Sequence, residues 1–227
     1  AGGGATSRRI GRARSGRSRS GAPGTCCTSR DGPDPTPRTP GHLLNFPSFS
    51  LTPFQEEEDH PDLRITGTVR RSANKLSIGY ALLGDLSGIA IPARGDPPGR
   101  KNRLWEETCL ELFLGMKGFR GYWEFNLSPA GHWNVYRFTS YRKGMREELA
   151  FPSLPIRVWT EPNAFRLSLD LEPGKIIPAD RALEAGVCIV IRTVTGDTSH
   201  WALLHPASRP DFHLRDGFAL TIPSMAI

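Results

Sequence analysis

From residue 62 onward, apolar and polar side chains alternate with a period of two, the spacing that sends successive residues to opposite faces of a strand. Residues 63–69 alternate, and 75–83 follow after a turn at Ser72, Ala73 and Asn74. Residues 86–91 form a short apolar run ended by Pro92, and 93–103 carry loop signals throughout. Three strands fall within 104–138, the stretch with the densest alternation and three of the five Trp residues. Residues 156–160 and 165–171 read as a hairpin around Glu161, Pro162 and Asn163. Residues 178–185 suggest one helical turn, 187–194 and 200–204 a second pair turning at Thr195, Gly196 and Asp197, and 218–222 a closing strand. About ten to eleven short antiparallel strands with almost no 3.6 periodicity predict an all-β protein, a β-sandwich.

The two central strands allow a register to be argued. On 108–114 one face is Leu110, Leu112 and Leu114, and the other Cys109, Glu111 and Phe113. On 122–128 the faces are Trp123, Phe125 and Leu127 against Tyr122, Glu124 and Asn126. Matching the apolar faces sets Glu111 opposite either Glu124 or Asn126. Like charges directly opposite are unfavourable, which favours Asn126. The second face then mixes rings, carboxyls and an amide. Such a surface suits a hydroxyl-rich ligand, since carboxylates and amides bond hydroxyls and rings give a flat apolar platform. It equally describes a half-solvated outer face with ordinary cross-strand bonds. Trp105, at the junction of loop and strand, is readable as a core cap or a pocket wall, and Trp133 and Trp201 carry the same two readings.

Composition changes the picture only at the N-terminus. Residues 1–41 are rich in Gly, Arg, Ser and Pro and predict disorder, leaving 42–227 as the folded domain. Eight Arg and two Asp within residues 1–40 account for the whole formal charge of +6, since 8 − 2 = 6. The remainder is neutral and has no global field to draw phosphate or anionic lipid, so neither nucleic acid nor membrane is expected as a partner. The chain shows no apolar leader and no run long enough to span a bilayer, and it begins with Ala rather than Met. A cytoplasmic location is expected on that basis. Cys109 and Cys188 read as small buried apolar residues, and no CxxC spacing suggests a metal.

The run Leu104-Trp105-Glu106-Glu107-Thr108-Cys109-Leu110-Glu111-Leu112-Phe113 resembles the hallmark strand of bacterial DOMON-like proteins, which are similar to family 9 carbohydrate-binding modules. Residues 122–136 resemble the next two strands, and Arg209-Pro210-Asp211-Phe212-His213 the closing segment. The resemblance implies a sandwich that holds a sugar between two Trp rings with carboxylate, amide and Arg partners. It implies Trp105 as one ring, Trp201 as the second, Glu111 as a hydroxyl acceptor, Asn126 as the amide and Arg192 as the basic group. Arg192 is also readable as a structural salt bridge, with Glu111 as its candidate partner.

The function expected is therefore non-catalytic binding of a small molecule, a sugar or similar polyol, with no cofactor. The alternatives are a haem-binding DOMON-type redox domain and a protein-interaction module. For haem, the His and Met available are Met116, Met145, His132, His200, His205 and His213, with no pair singled out by spacing. Glu111 and Glu124 are also readable as a glycosidase pair. The acidic run 56–59 with Asp62 has no spacing suited to calcium.

Overall fold

The computed structural model describes residues 48–224, apart from 56–59, 73 and 95–96. The expectations for residues 1–41, including Cys26 and Cys27, and for the acidic run 56–59 lie outside the described residues.

Twelve strands follow in order: β1 (Ser48–Pro53), β2 (Leu63–Ser72), β3 (Lys75–Gly84), β4 (Cys109–Met116), β5 (Tyr122–Leu127), β6 (Trp133–Phe138), β7 (Arg146–Glu147), β8 (Ile156–Glu161), β9 (Ala164–Leu171), β10 (Leu183–Arg192), β11 (Thr198–Ala202) and β12 (Leu220–Ile222). All strand pairs are antiparallel, in the spatial order β7-β6-β5-β4-β10-β11-β1-β2-β3-β9-β8, with β12 beside the start of β10. The all-β expectation holds, and two of the twelve strands are only two and three residues long.

Strand β1 joins the two halves. Its first four residues pair with β2, and Thr52 and Pro53 pair with β11. The sheet curls at this seam so that both halves bury their apolar faces against one another. Ile65, Ile78, Leu82 and Leu167 from one half and Leu110, Leu112, Phe125 and Ile189 from the other belong to one buried cluster. One polar bond crosses it: the Tyr80 hydroxyl donates to the Glu111 carbonyl at 2.9 Å. This bond ties the opposite half to the strand that carries Glu111. Tyr80→Phe is expected to lower unfolding free energy by about 1 kcal/mol, the usual net value of one buried hydrogen bond, measured by urea denaturation.

Three local expectations are corrected. Residues 86–91 form a turn with one isolated bridge, Ile89 to Thr193, and no strand. The Asp85 carboxylate accepts the Ser87 amide at 2.9 Å, which starts the turn before an apolar strand can extend. Residues 178–185 hold no helix. A turn closes from the Arg181 amide to the Pro178 carbonyl, and Leu183–Ala185 pair with both β4 and β12. The closing strand begins at Leu220, and Phe218 packs instead on the outer face of the sheet.

Candidate functional site

The register of β4 and β5 is the one expected. Glu111 lies opposite Asn126, Leu112 opposite Phe125 and Phe113 opposite Glu124. Continuing outward, Cys188 of β10 flanks Glu111, while Asn134 of β6 flanks Asn126 and Tyr136 flanks Glu124. Cys188, Glu111, Asn126 and Asn134 therefore form one row across four strands, all on the face turned away from the core.

This face is not half-solvated. Glu111 is 3% exposed and Glu124 4%, and Asn126 is wholly buried. Segments without regular periodicity cover it. The turn between β6 and β7 places Arg142 at φ 51°, a left-handed conformation unusual for a residue with a side chain. Arg142 there pairs with Asp211 at 3.0 Å, and Tyr141 donates its hydroxyl to the same carboxylate. These bonds hold Asp211 below the usual carboxylate range despite its partial burial. The 205–218 segment thus lies over the sheet, bringing Phe212, His213 and Phe218 against the outer face.

A cavity of about 380 Å³ remains beneath this cover. Trp105, Phe138 and Phe212 supply its rings, and Glu111 and Glu124 its carboxyls. Arg142, Met145, His200 and His213 complete its polar and polarisable edge.

Burial dominates the electrostatics. It pushes the Glu111 carboxyl well above the ordinary value, and the nearby Glu124 charge pushes the same way. Burial also raises Glu124 to about 7, against the opposing pull of the Asn126 amide and of Arg142. Asn126 donates Nδ2–H to Glu124 Oε1 at 2.6 Å. The thiols of Cys188 and Cys109 make long contacts to Glu111 Oε2 (3.8 Å) and Asn126 Oδ1 (3.7 Å). Both cysteines are free and buried, as expected, and both also serve the polar row.

His213 is depressed to about 4, mainly by burial and then by the Arg142 charge. Its Nδ1 lies 2.8 Å from the Tyr122 hydroxyl, which itself accepts the Arg142 amide at 3.2 Å. The hydroxyl proton is thus directed at Nδ1, which leaves Nε2–H facing Glu124 Oε2 at 3.9 Å. Near neutral pH the imidazole is uncharged, so the approach is not an ion pair.

The five residues singled out in the sequence separate here. Trp105 and Glu111 both line the cavity. Asn126 lies beneath it and orients Glu124. Arg192 is exposed and donates from Nη1 to the Glu106 carbonyl at 3.0 Å. It therefore braces the Leu104–Glu106 turn that presents Trp105, and the ion pair with Glu111 is not formed. Trp201 sits on the opposite face, in the core, opposite Ile189, with its indole N–H donated to Ser199 Oγ at 3.1 Å. Its ring cannot reach the cavity through the sheet. Trp133 is also core, with the Arg100 guanidinium 4.4 Å above its ring. Sequence reasoning gave no role to Arg142, and His213 stood only among the candidate haem ligands and in the closing motif. The Arg209–His213 motif was the one signal available for the covering segment.

No family model matches the chain, and no curated protein matches it. Among solved structures, it is similar to a protein of Bacteroides uniformis ATCC 8492 described provisionally as carbohydrate-binding. The TM-score is 0.54 at 14% identity, over 75% of this chain and 83% of that one. A family 9 carbohydrate binding module from Caldicellulosiruptor kristjanssonii, solved with glucose, gives 0.45 at 8% identity over 72% and 77%. The same organism's module with cellotriose gives 0.44 at 8% identity over 72% and 75%. These last two superpositions are too loose to carry weight. The first shows a shared fold: this chain has the architecture of the Bacteroides protein.

Proposed function

We propose that the outer-face cavity binds a small polyhydroxylated molecule, a sugar or similar polyol, without catalysing its reaction. The observation that carries this reading is that two buried carboxyls, Glu111 and Glu124, line one cavity together with the Trp105 ring, with the Asn126 amide bonded to Glu124 behind them. Carboxyl oxygens accept hydroxyl protons, and an indole face covers the apolar side of a pyranose. The fold shared with a protein described provisionally as carbohydrate-binding is consistent with it. So is the resemblance of residues 104–113 to the DOMON-like hallmark strand.

Glu111 and Glu124 project from one sheet face on neighbouring strands, and we read them as hydroxyl acceptors rather than as a hydrolytic pair, in keeping with the fold shared with the Bacteroides protein. Met145, His200 and His213 do gather at the cavity, as haem ligation would require. His213, however, has both nitrogens committed, to Tyr122 and towards Glu124. A concavity edged with polar groups also favours a small ligand over a protein partner.

The test is a calorimetric titration of the full chain with glucose, cellobiose and xylobiose at millimolar concentration. Saturable binding is expected, with a dissociation constant near about 1 mM, which corresponds to about 4 kcal/mol. Trp105→Ala should weaken it by roughly tenfold or more while the far-ultraviolet circular dichroism stays unchanged. Normal binding by that variant would refute the assignment of the ring, and absorbance growing in the Soret region on haem addition would replace the sugar reading.

A further inference from the structure

Resting on the sugar reading above, we infer that the preferred ligand is an amino sugar, a small polyol bearing a protonated amine that is received between Glu111 and Glu124. Both carboxyls are more than nine-tenths buried, and both line the same cavity. Among the described residues, neither forms an ion pair with a lysine or arginine. Glu111 has only the long thiol contact from Cys188, and Glu124 has the Asn126 amide and the His213 ring at 3.9 Å. Arg142, the one guanidinium lining the cavity among the described residues, is held by Asp211. His200 also lines the cavity, and His213 is uncharged near neutral pH.

Two buried carboxyls with no ion-paired lysine or arginine are unusual, because a buried charge needs a partner or a proton. The Arg142 charge draws both downward, yet burial outweighs it and raises both, so protons do that work. A neutral sugar would leave those protons in place. An ammonium group would displace at least one, converting a protonated carboxyl into an ion pair in surroundings of low dielectric. Rings line the same cavity: Trp105, Phe138 and Phe212 belong to its wall, and a cation held against an aromatic face gains further attraction. A cavity of about 380 Å³ lies at the small end for ligand sites, which favours a compact ligand.

The experiment compares glucosamine, N-acetylglucosamine and glucose at pH 7 with the full chain, in phosphate so that no buffer amine competes. Glucosamine is expected to bind roughly tenfold or more tightly than the other two. In weakly buffered solution, a pH indicator should register proton release with glucosamine and none with glucose. The Glu111→Gln, Glu124→Gln double variant should bring the ratio of glucosamine to glucose affinity to about one. Equal affinity for all three sugars would overturn the amine inference and leave the sugar reading standing. Binding of none would overturn both, and tight glucosamine binding without proton release would show that the carboxyls do not receive the amine.

Discussion

Trp201→Ala is expected to cost about 3–5 kcal/mol of unfolding free energy, the range for removing a fully packed aromatic ring from a core. The ring is buried where β11 meets β1, opposite Ile189 on one side and Pro53 on the other. It therefore packs at the seam that joins the two halves of the sheet. Its loss leaves a cavity there and takes the indole N–H from the Ser199 hydroxyl. Since a domain of this size is usually stable by about 5–15 kcal/mol, a loss of this size moves the denaturation midpoint far. Urea denaturation with an unchanged m-value would report it. Trp105→Ala should cost clearly less, because that ring is only partly buried. The pair of variants separates the two roles: one loses stability, the other ligand. A Trp201→Ala protein of normal stability that no longer binds sugar would place Trp201 in the site after all.

The parity of Trp201 was not legible, and the reason lies in its neighbour. Strand β10 is apolar on both faces, with Val187, Ile189 and Ile191 on one and Cys188 and Val190 on the other. A partner strand paired with it gains no signal about which of its own side chains faces the core. The pairing of β4 with β5 was legible for the opposite reason. There only one face of each strand is uniformly apolar, and a one-residue slip would set Leu beside Glu. Matching the faces left Glu124 or Asn126 opposite Glu111, and the cost of like charges side by side selected Asn126.

What covers the polar row was not legible either. The covering segments have no hydrophobic period, and their placement depends on one left-handed residue, Arg142, reaching Asp211 across 69 positions. Nothing local announces such a bond. Strand β1 was missed although Phe49 and Leu51 alternate with polar neighbours, because two apolar positions are too few to separate a short strand from loop. Arg192 was singled out as a basic group for the ligand or as one side of a salt bridge. Its partner proved to be a backbone carbonyl on the Trp105 turn, a contact that sequence pattern does not encode.

The buried carboxyls make a second large prediction, in the pH dependence of stability. Glu124 has an ordinary value of 4.5 and is raised to about 7 in the folded protein. Above pH 4.5 the unfolded chain releases this proton while the folded chain keeps it. The folded state then binds more protons, so stability falls as pH rises, and it goes on falling until the folded group also titrates near 7. The contribution is fully present below pH 4.5 and lost above about 7. The limiting slope is about 1.4 kcal/mol per pH unit for one group. Glu111, raised well above its ordinary value by the same burial, acts in the same direction. His213 acts against them: its value is lowered from 6.5 to about 4, so it gives stability at high pH that is lost as pH falls through 4. The nearby Asp211, held low by Tyr141 and Arg142, is ionised throughout this window. Between pH 4.5 and 6.5 His213 offsets about one carboxyl, and the net trend still falls with pH. Glu124→Gln removes this titration, and with it the charge that helps to raise Glu111, so both changes act in the same direction. The amide oxygen retains the Asn126 bond. The stability of the variant relative to the parent should therefore climb from pH 4.5 to 7 and level off, by about 2–3 kcal/mol in all. Urea denaturation of both proteins at half-unit steps from pH 4.5 to 8 measures this directly. Parallel curves would mean that Glu124 titrates as an exposed carboxylate does, and that its burial in the polar row costs nothing.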